Sequence, residues 1–220
     1  VTASYTDGGG TVERVSSSAT SAVANVNDAP TGSVTISGTA TQGEVLTAAN
    51  TLADADVLGS IGYQWKRAGA AITDATSSTY TLVQADVGSA ISVTASYTDD
   101  QGTAESVTSA ATSAVANVND APTGSVTISG TATQGQTLTA ANTLADADGL
   151  GSISYQWKRA GAAISGATSS TYSLVQADVG SAITVTASYT DAQGTAESVS
   201  SSATSAVADV NDAPTGSVTI

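Results

Sequence analysis

The residues with chemical potential in this chain are oxygen donors, and they recur in fixed groups. Asn-Asp-Ala-Pro stands at Asn27–Pro30, Asn119–Pro122 and Asn211–Pro214. Asp-Ala-Asp follows at Asp54–Asp56 and again at Asp146–Asp148, and a further acid stands at Asp99 and Asp191. Carboxylates mixed with side-chain amides and backbone carbonyls are the donor types calcium takes, about six to eight at a time. An EF-hand starting at Asp146 is excluded, because its twelfth position is Trp157 rather than Glu. The stretch DGGGTVERV at Asp7–Val15 lacks the register of a calcium-binding nonapeptide repeat.

Other chemistries find no residues to work with. The chain has no His and no Cys, so Ser-His and Cys-His nucleophiles and the usual zinc sets are excluded, as are disulfides. No Gly-x-x-x-x-Gly-Lys phosphate loop is present. The paired acids Asp54 and Asp56 are of a type that can do acid–base work. They lie in a repeated turn, however, and an active site copied into every repeat is a poor reading. No catalytic role is expected. The formal charge of −14, from 19 acidic against 5 basic residues, argues against nucleic acid and anionic membranes as partners. Acidity also serves solubility alone, and that reading stays open. No apolar run approaches the roughly 18 residues of a membrane span, so no membrane insertion is expected.

These groups recur because the chain is a tandem array. Its three prolines, Pro30, Pro122 and Pro214, are spaced by 92 residues, as are Trp65 and Trp157. Ala29–Asp120 and Ala121–Asp212 differ at only twelve positions. The expected organisation is the C-terminal part of one repeat (1–28), a repeat at 29–120, another at 121–210 and the first strand of a following one (211–220).

Within a repeat the apolar period is two. Ile91, Val93, Ala95 and Tyr97 alternate with Ser92, Thr94, Ser96 and Thr98, which predicts a strand with one buried face. Ile61, Tyr63 and Trp65, Tyr80 and Leu82, and Val34 and Ile36 alternate likewise. Short strands separated by Gly, Asp and Ser turns over about 90 residues predict an all-β antiparallel sandwich. Its core of Ala and Val is thin for its size, which makes neighbouring repeats and a bound metal natural sources of added stability.

Tyr63–Gly69 (YQWKRAG) resembles strand C of an immunoglobulin-type domain, and Gln84–Ser96 (QADVGSAISVTAS) resembles its E–F corner and strand F. Ile91 and Val93 stand where that family carries Tyr and Cys, so the disulfide and the tyrosine corner are both missing. As a whole the repeat is similar to the tandem Ig-like repeats of very large bacterial surface proteins, the RTX-type and biofilm adhesins. The resemblance implies Ig-like sandwiches of about 92 residues and an extracellular, bacterial cell-surface location.

It also implies a calcium joint like that of cadherins, with linker, B–C loop and F–G loop at one end of each sandwich. Around the second joint it gathers Asp86 from the preceding E–F corner and Asn117, Asn119 and Asp120 from the linker. Asp146 and Asp148 then come from the next B–C loop and Asp191 from the next F–G loop. Around the first joint stand Asn25, Asn27, Asp28, Asp54, Asp56 and Asp99. Without the ion such a joint reads as a short tether between repeats that swing; with it, the joint is stiff. The plainer alternatives are that Asp86 and Asp178 bond their own turns, and that Asp-Ala-Asp-Gly is a tight turn with solvated acids.

Lys66 and Arg67, with Lys158 and Arg159, form a small basic patch, read as edge protection. A spacer array of a large surface adhesin or fibre is the function expected, with neighbouring repeats as partners. A self-assembling filament subunit, in which like chains associate, and a carbohydrate-binding module are the alternatives.

Overall fold

The computed structural model describes residues 1–218. The chain opens with a hairpin, β1 (Thr2–Thr6) and β2 (Val12–Ser16), in which every residue is exposed. Seven strands follow: β3 (Val34–Ser37), β4 (Val45–Asn50), β5 (Gly62–Arg67), β6 (Ala70–Ala71), β7 (Thr79–Thr81), β8 (Ile91–Thr98) and β9 (Ala104–Thr108). The next seven repeat the pattern: β10 (Val126–Ser129), β11 (Thr137–Asn142), β12 (Ser154–Arg159), β13 (Ala162–Ala163), β14 (Thr171–Ser173), β15 (Ile183–Thr190) and β16 (Ala196–Ser200). No strand lies within 211–218, and the remainder of the expected 211–220 strand lies outside the described residues.

Each set of seven strands forms two antiparallel sheets. In the first set the orders are β3-β4-β7 and β6-β5-β8-β9; in the second they are β10-β11-β14 and β13-β12-β15-β16. The fold is an all-β, Ig-like antiparallel sandwich, present twice. The opening hairpin shares the register of β8 and β9: Thr2 pairs with Ser16 as Thr94 pairs with Thr108.

The sandwich forms because alternate side chains of both sheets are apolar. Ile91, Val93, Ala95 and Tyr97 are buried along β8, with Trp65 fully buried on β5 and Leu46 and Leu82 facing them from the other sheet. Trp157, Leu138, Leu174, Ile183 and Val185 make the second core. Trp65 stacks on Tyr80 with ring centroids 5.7 Å apart. Its indole N–H donates to the Ser77 carbonyl at 2.9 Å, so the buried ring leaves no unpaired donor.

The basic patch divides on folding. Lys66 pairs with Ala71 of β6 and therefore does not guard a free edge. The Arg67 side chain is bound to Asp86, as described below.

Candidate functional site: the joint between repeats

The B–C loop is fixed to its own sandwich from beneath. Tyr189, buried at the end of β15, donates its hydroxyl to Asp146 Oδ2 at 2.5 Å, while Asp146 Oδ1 accepts the Asp148 N–H at 2.9 Å. Tyr97 and Asp54 repeat the arrangement in the first sandwich. Burial, followed by the hydrogen bond to the carboxylate, raises the phenol pKa of Tyr97 and Tyr189 well above the usual tyrosine range. The loop also needs glycine at 151: a Cβ there would lie 1.9 Å from the Thr190 carbonyl oxygen, so only glycine lets the loop lie against β15.

With the loop held, Asp148 points at the linker. It is 2 % exposed. Its Oδ2 accepts the backbone N–H of Asp120 at 2.7 Å, and its Oδ1 accepts from Gln84 Nε2 at 2.9 Å. One carboxylate of the second sandwich therefore bonds both the linker and the 3-10 turn Gln84–Asp86 of the first sandwich. Asn119 Nδ2 donates to Glu197 Oε1 at 2.8 Å. At the first linker, Asp28 N–H meets Asp56 Oδ2 at 2.9 Å and Asn27 meets Glu105 at 2.8 Å, while Asn25 is exposed.

The F–G loop brings Asp191 to the same end. Its Oδ1 accepts the N–H groups of Gln193 and Thr195, both at 2.8 Å, closing the loop on itself. Its Oδ2 is buried and has no hydrogen-bond partner. Asp99 in the first sandwich has the same geometry and the same unpartnered Oδ2. Two more buried acceptors at the second joint lack a donor: Gln84 Oε1 and Asn117 Oδ1. In the second sandwich the equivalent pair, Gln176 and Asp209, are hydrogen-bonded at 3.4 Å.

Asp86 is not among the groups brought together here. It is fully buried, with Oδ1 on Arg67 Nε at 2.6 Å and Oδ2 accepting from the Tyr80 hydroxyl at 2.9 Å and the Val83 N–H at 2.8 Å. It closes its own turn and anchors Arg67, and Asp178 does the same with Arg159, Tyr172 and Val175. The E–F corner reaches the joint through Gln84, two residues earlier.

Among the described residues no three Asp, Glu, His or Cys side chains converge as a metal cluster. The unpartnered oxygens at the second joint are one carboxylate and two amide carbonyls, from three separate segments. Buried acceptors without donors are uncommon in folded proteins, and this all-oxygen set suits calcium chemistry rather than that of a thiolate- or imidazole-seeking metal. Gln84, Gln42, Glu105 and Glu197 escape a reading that weighs acids and asparagines of the linker. Their signal was recurrence at a spacing of 92 residues beside the joint motifs.

No aromatic platform for sugars accompanies the joint. Tyr5 is the only aromatic ring exposed among the described residues. A depression of about 430 Å³ on the second sandwich is lined by Ser, Thr and Ala side chains with Tyr189 and Glu197.

No family model and no curated protein sequence matches the chain. Among solved structures it is similar to a Ca2+-stabilised adhesin with which an Antarctic bacterium reaches out and binds ice, at 17 % identity and a TM-score of 0.32, over 94 % of this chain. It is similar to a tetra-tandem repeat from the extending region of a large adhesion protein at 21 % identity and a TM-score of 0.31, over 93 % of this chain. Three N-terminal domains of the Highly Immunogenic Outer Capsid protein of bacteriophage RB49 match 78 % of it at 19 % identity and a TM-score of 0.29. The chain spans 55 %, 56 % and 58 % of the ice-binding adhesin, the adhesion-protein repeat and the capsid protein respectively.

Proposed function

We propose that the chain is a run of spacer repeats from a large bacterial cell-surface adhesin, with calcium closing the joints between them. The observation that carries this reading is the joint itself. Its linker is bonded to both flanking sandwiches, and three buried oxygens, from the linker and from a loop of each sandwich, have no hydrogen-bond donor. Near-identical copies suit a role of reach rather than chemistry, since adding a repeat lengthens the array and leaves each joint the same. The similarity of the repeat as a whole to the tandem Ig-like repeats of large bacterial surface adhesins points the same way.

At the second joint Asp191 Oδ2, Gln84 Oε1, Asn117 Oδ1 and the Asp148 carboxylate would hold the ion. Bound there, calcium supplies a positive charge shared by two sandwiches, so that bending the joint breaks coordination. Asp146 and Tyr189 hold the loop that presents Asp148, Gln193 and Thr195 hold the loop that presents Asp191, and Gln84 carries the contribution of the preceding sandwich. Binding to the native form alone raises stability by RT ln(1 + [L]/Kd), about 2.7 kcal/mol at a hundredfold excess.

Titration calorimetry of the chain and of an Asp191→Asn, Gln84→Ala variant tests this. Calcium should bind with a Kd on the order of 0.1–1 mM, typical of extracellular modules, and the variant should lose that heat. Absence of binding heat in the unaltered chain at calcium well above that range overturns the calcium reading.

A further inference from the structure

The linker is held on alternate sides, and one glutamine does most of the holding on the side of the preceding sandwich. Gln42 lies in the turn between β3 and β4, half-buried. Its backbone N–H donates to the Ala116 carbonyl at 2.9 Å, and Ala116 N–H donates to Ala40 at 2.8 Å. Its side chain then continues along the linker: Oε1 accepts the Val118 N–H at 3.1 Å and Nε2 donates to Asp120 Oδ2 at 2.8 Å. Residues 116, 118 and 120 are thus all bonded to one turn of the first sandwich. The Asn119 side chain and the Asp120 N–H face the other way, onto Glu197 and Asp148 of the second. The Asn119 and Asp120 side chains thus reach opposite sandwiches, as successive side chains of an extended segment do.

The second repeat builds the same brace. Gln134 N–H donates to the Ala208 carbonyl at 2.9 Å, Oε1 accepts the Val210 N–H at 3.3 Å and Nε2 reaches Asp212 Oδ2 at 3.3 Å. A brace present twice in equivalent positions belongs to the repeat and not to one local packing accident.

We propose that Gln42 and Gln134 are positioning residues that set the direction of each linker, and hence the orientation of the next repeat, with no cation bound. An amide is suited to this. It offers one acceptor and one donor on the same plane, matching an N–H at 118 and a carboxylate at 120. Neither a carboxylate nor an ammonium can do both. The joint is then a hydrogen-bonded hinge held near one angle, which the cation reinforces instead of creating. This is separate from the calcium reading, because it concerns the joint without the ion.

The test is a distance measurement between spin labels, run entirely in chelator. The chain has no cysteine, so Thr47→Cys and Thr139→Cys, both on exposed strand positions, place one label on each sandwich. The unaltered linker should give a narrow distance distribution. Gln42→Ala removes two side-chain hydrogen bonds and should raise the undocked fraction roughly tenfold, as expected for the loss of about one to two net bonds. Gln42→Glu sets two carboxylates against each other and should broaden the distribution as well. Combining Gln42→Glu with Asp120→Asn reverses donor and acceptor: the carboxylate at 42 accepts from both the Val118 N–H and the amide at 120. That double variant should be narrow again. Tryptophan emission of each variant, reporting Trp65 and Trp157, checks that both sandwiches are folded.

Three results overturn the proposal. The unaltered chain is already broad in chelator; or Gln42→Ala leaves a narrow distribution unchanged; or the double variant is no narrower than Gln42→Glu. Since no arm contains calcium, failure here leaves the cation reading standing, and failure of the cation reading leaves this one standing.

Discussion

Replacing Asp178 with alanine should destabilise one repeat and leave its neighbour unaffected. Asp178 is fully buried and its two oxygens accept from Arg159 Nε at 2.6 Å, the Tyr172 hydroxyl at 3.0 Å and the Val175 N–H at 2.8 Å. Alanine removes all three partners. The Val175 N–H opens the 3-10 turn Gln176–Asp178, and losing a hydrogen bond to a charged acceptor costs about 1.5–3 kcal/mol. Tyr172, whose ring stacks on Trp157 with centroids 5.7 Å apart, loses the acceptor of its hydroxyl too. Breaking a fully buried ion pair costs about 3–5 kcal/mol, but Arg159 keeps 31 % of its side chain exposed and can turn to water. The expected loss is therefore about 3 kcal/mol, a large share of the stability of a domain this size. Hydrogen exchange followed by mass spectrometry is the suitable assay, because it reads the two repeats separately. Protection should fall across β12, β15 and β16 and persist across β5, β8 and β9. A change within about 0.5 kcal/mol, the range of an ordinary surface substitution, refutes the assignment of Asp178 as the anchor of the corner.

Two other perturbations test the structure at separate points. Val57 holds a φ of 74°, where the equivalent Gly149 has 95°; a β-branched residue there is strained. Val57→Gly should raise the melting temperature of the first repeat. Gly149→Val should cost the second about 1–3 kcal/mol, since its Cβ would lie 2.9 Å from the Ala192 Cβ. Calorimetric melts of both variants check the sign, and a stabilising Gly149→Val contradicts it. The second perturbation is alkaline pH. The Tyr97 and Tyr189 phenols titrate higher folded than unfolded, through burial and then Asp54 and Asp146. Their contribution is therefore complete below the unfolded tyrosine pKa of about 10 and is lost as pH rises through the raised value. Urea midpoints should fall above that pH, and more gently in a Tyr97→Phe, Tyr189→Phe double variant; equal slopes for the two proteins defeat the claim.

The strands were legible because their period is local. Ile91 to Tyr97 alternate with polar neighbours, and that alone assigns β8 a buried face; the same holds for Trp65 on β5. The site was legible by residue type but only partly by destination. Asp146, Asp148 and Asp191 stand in loops that the Ig-like order places at the end beside the linker; Asp148 bonds the linker, while Asp146 and Asp191 bond within their own sandwich. Asp86 went elsewhere because its fate depends on Arg67, 19 residues away on another strand, and on Tyr80. The reading that it bonds its own turn captures Val83 but not the ion pair. Glutamines 42 and 84, which recur at 92 residues like everything around them, were passed over for a different reason. An uncharged amide has no pattern of its own, and its role here follows from a pairing 78 residues away for Gln42 and 64 for Gln84. The linker reads as a tether in sequence because its bonds are made to groups that only folding brings near.

The central claim is that a calcium ion bridges two repeats at the second joint. The most direct measurement is a crystal structure of the chain grown with calcium well above about 1 mM, the upper end of such sites, with data collected where calcium scatters anomalously. The account predicts an anomalous peak coordinated by Asp191 Oδ2, Gln84 Oε1, Asn117 Oδ1 and Asp148. A well-ordered joint with no peak, in which Asp148 still bonds Gln84 Nε2 and the Asp120 N–H, contradicts it.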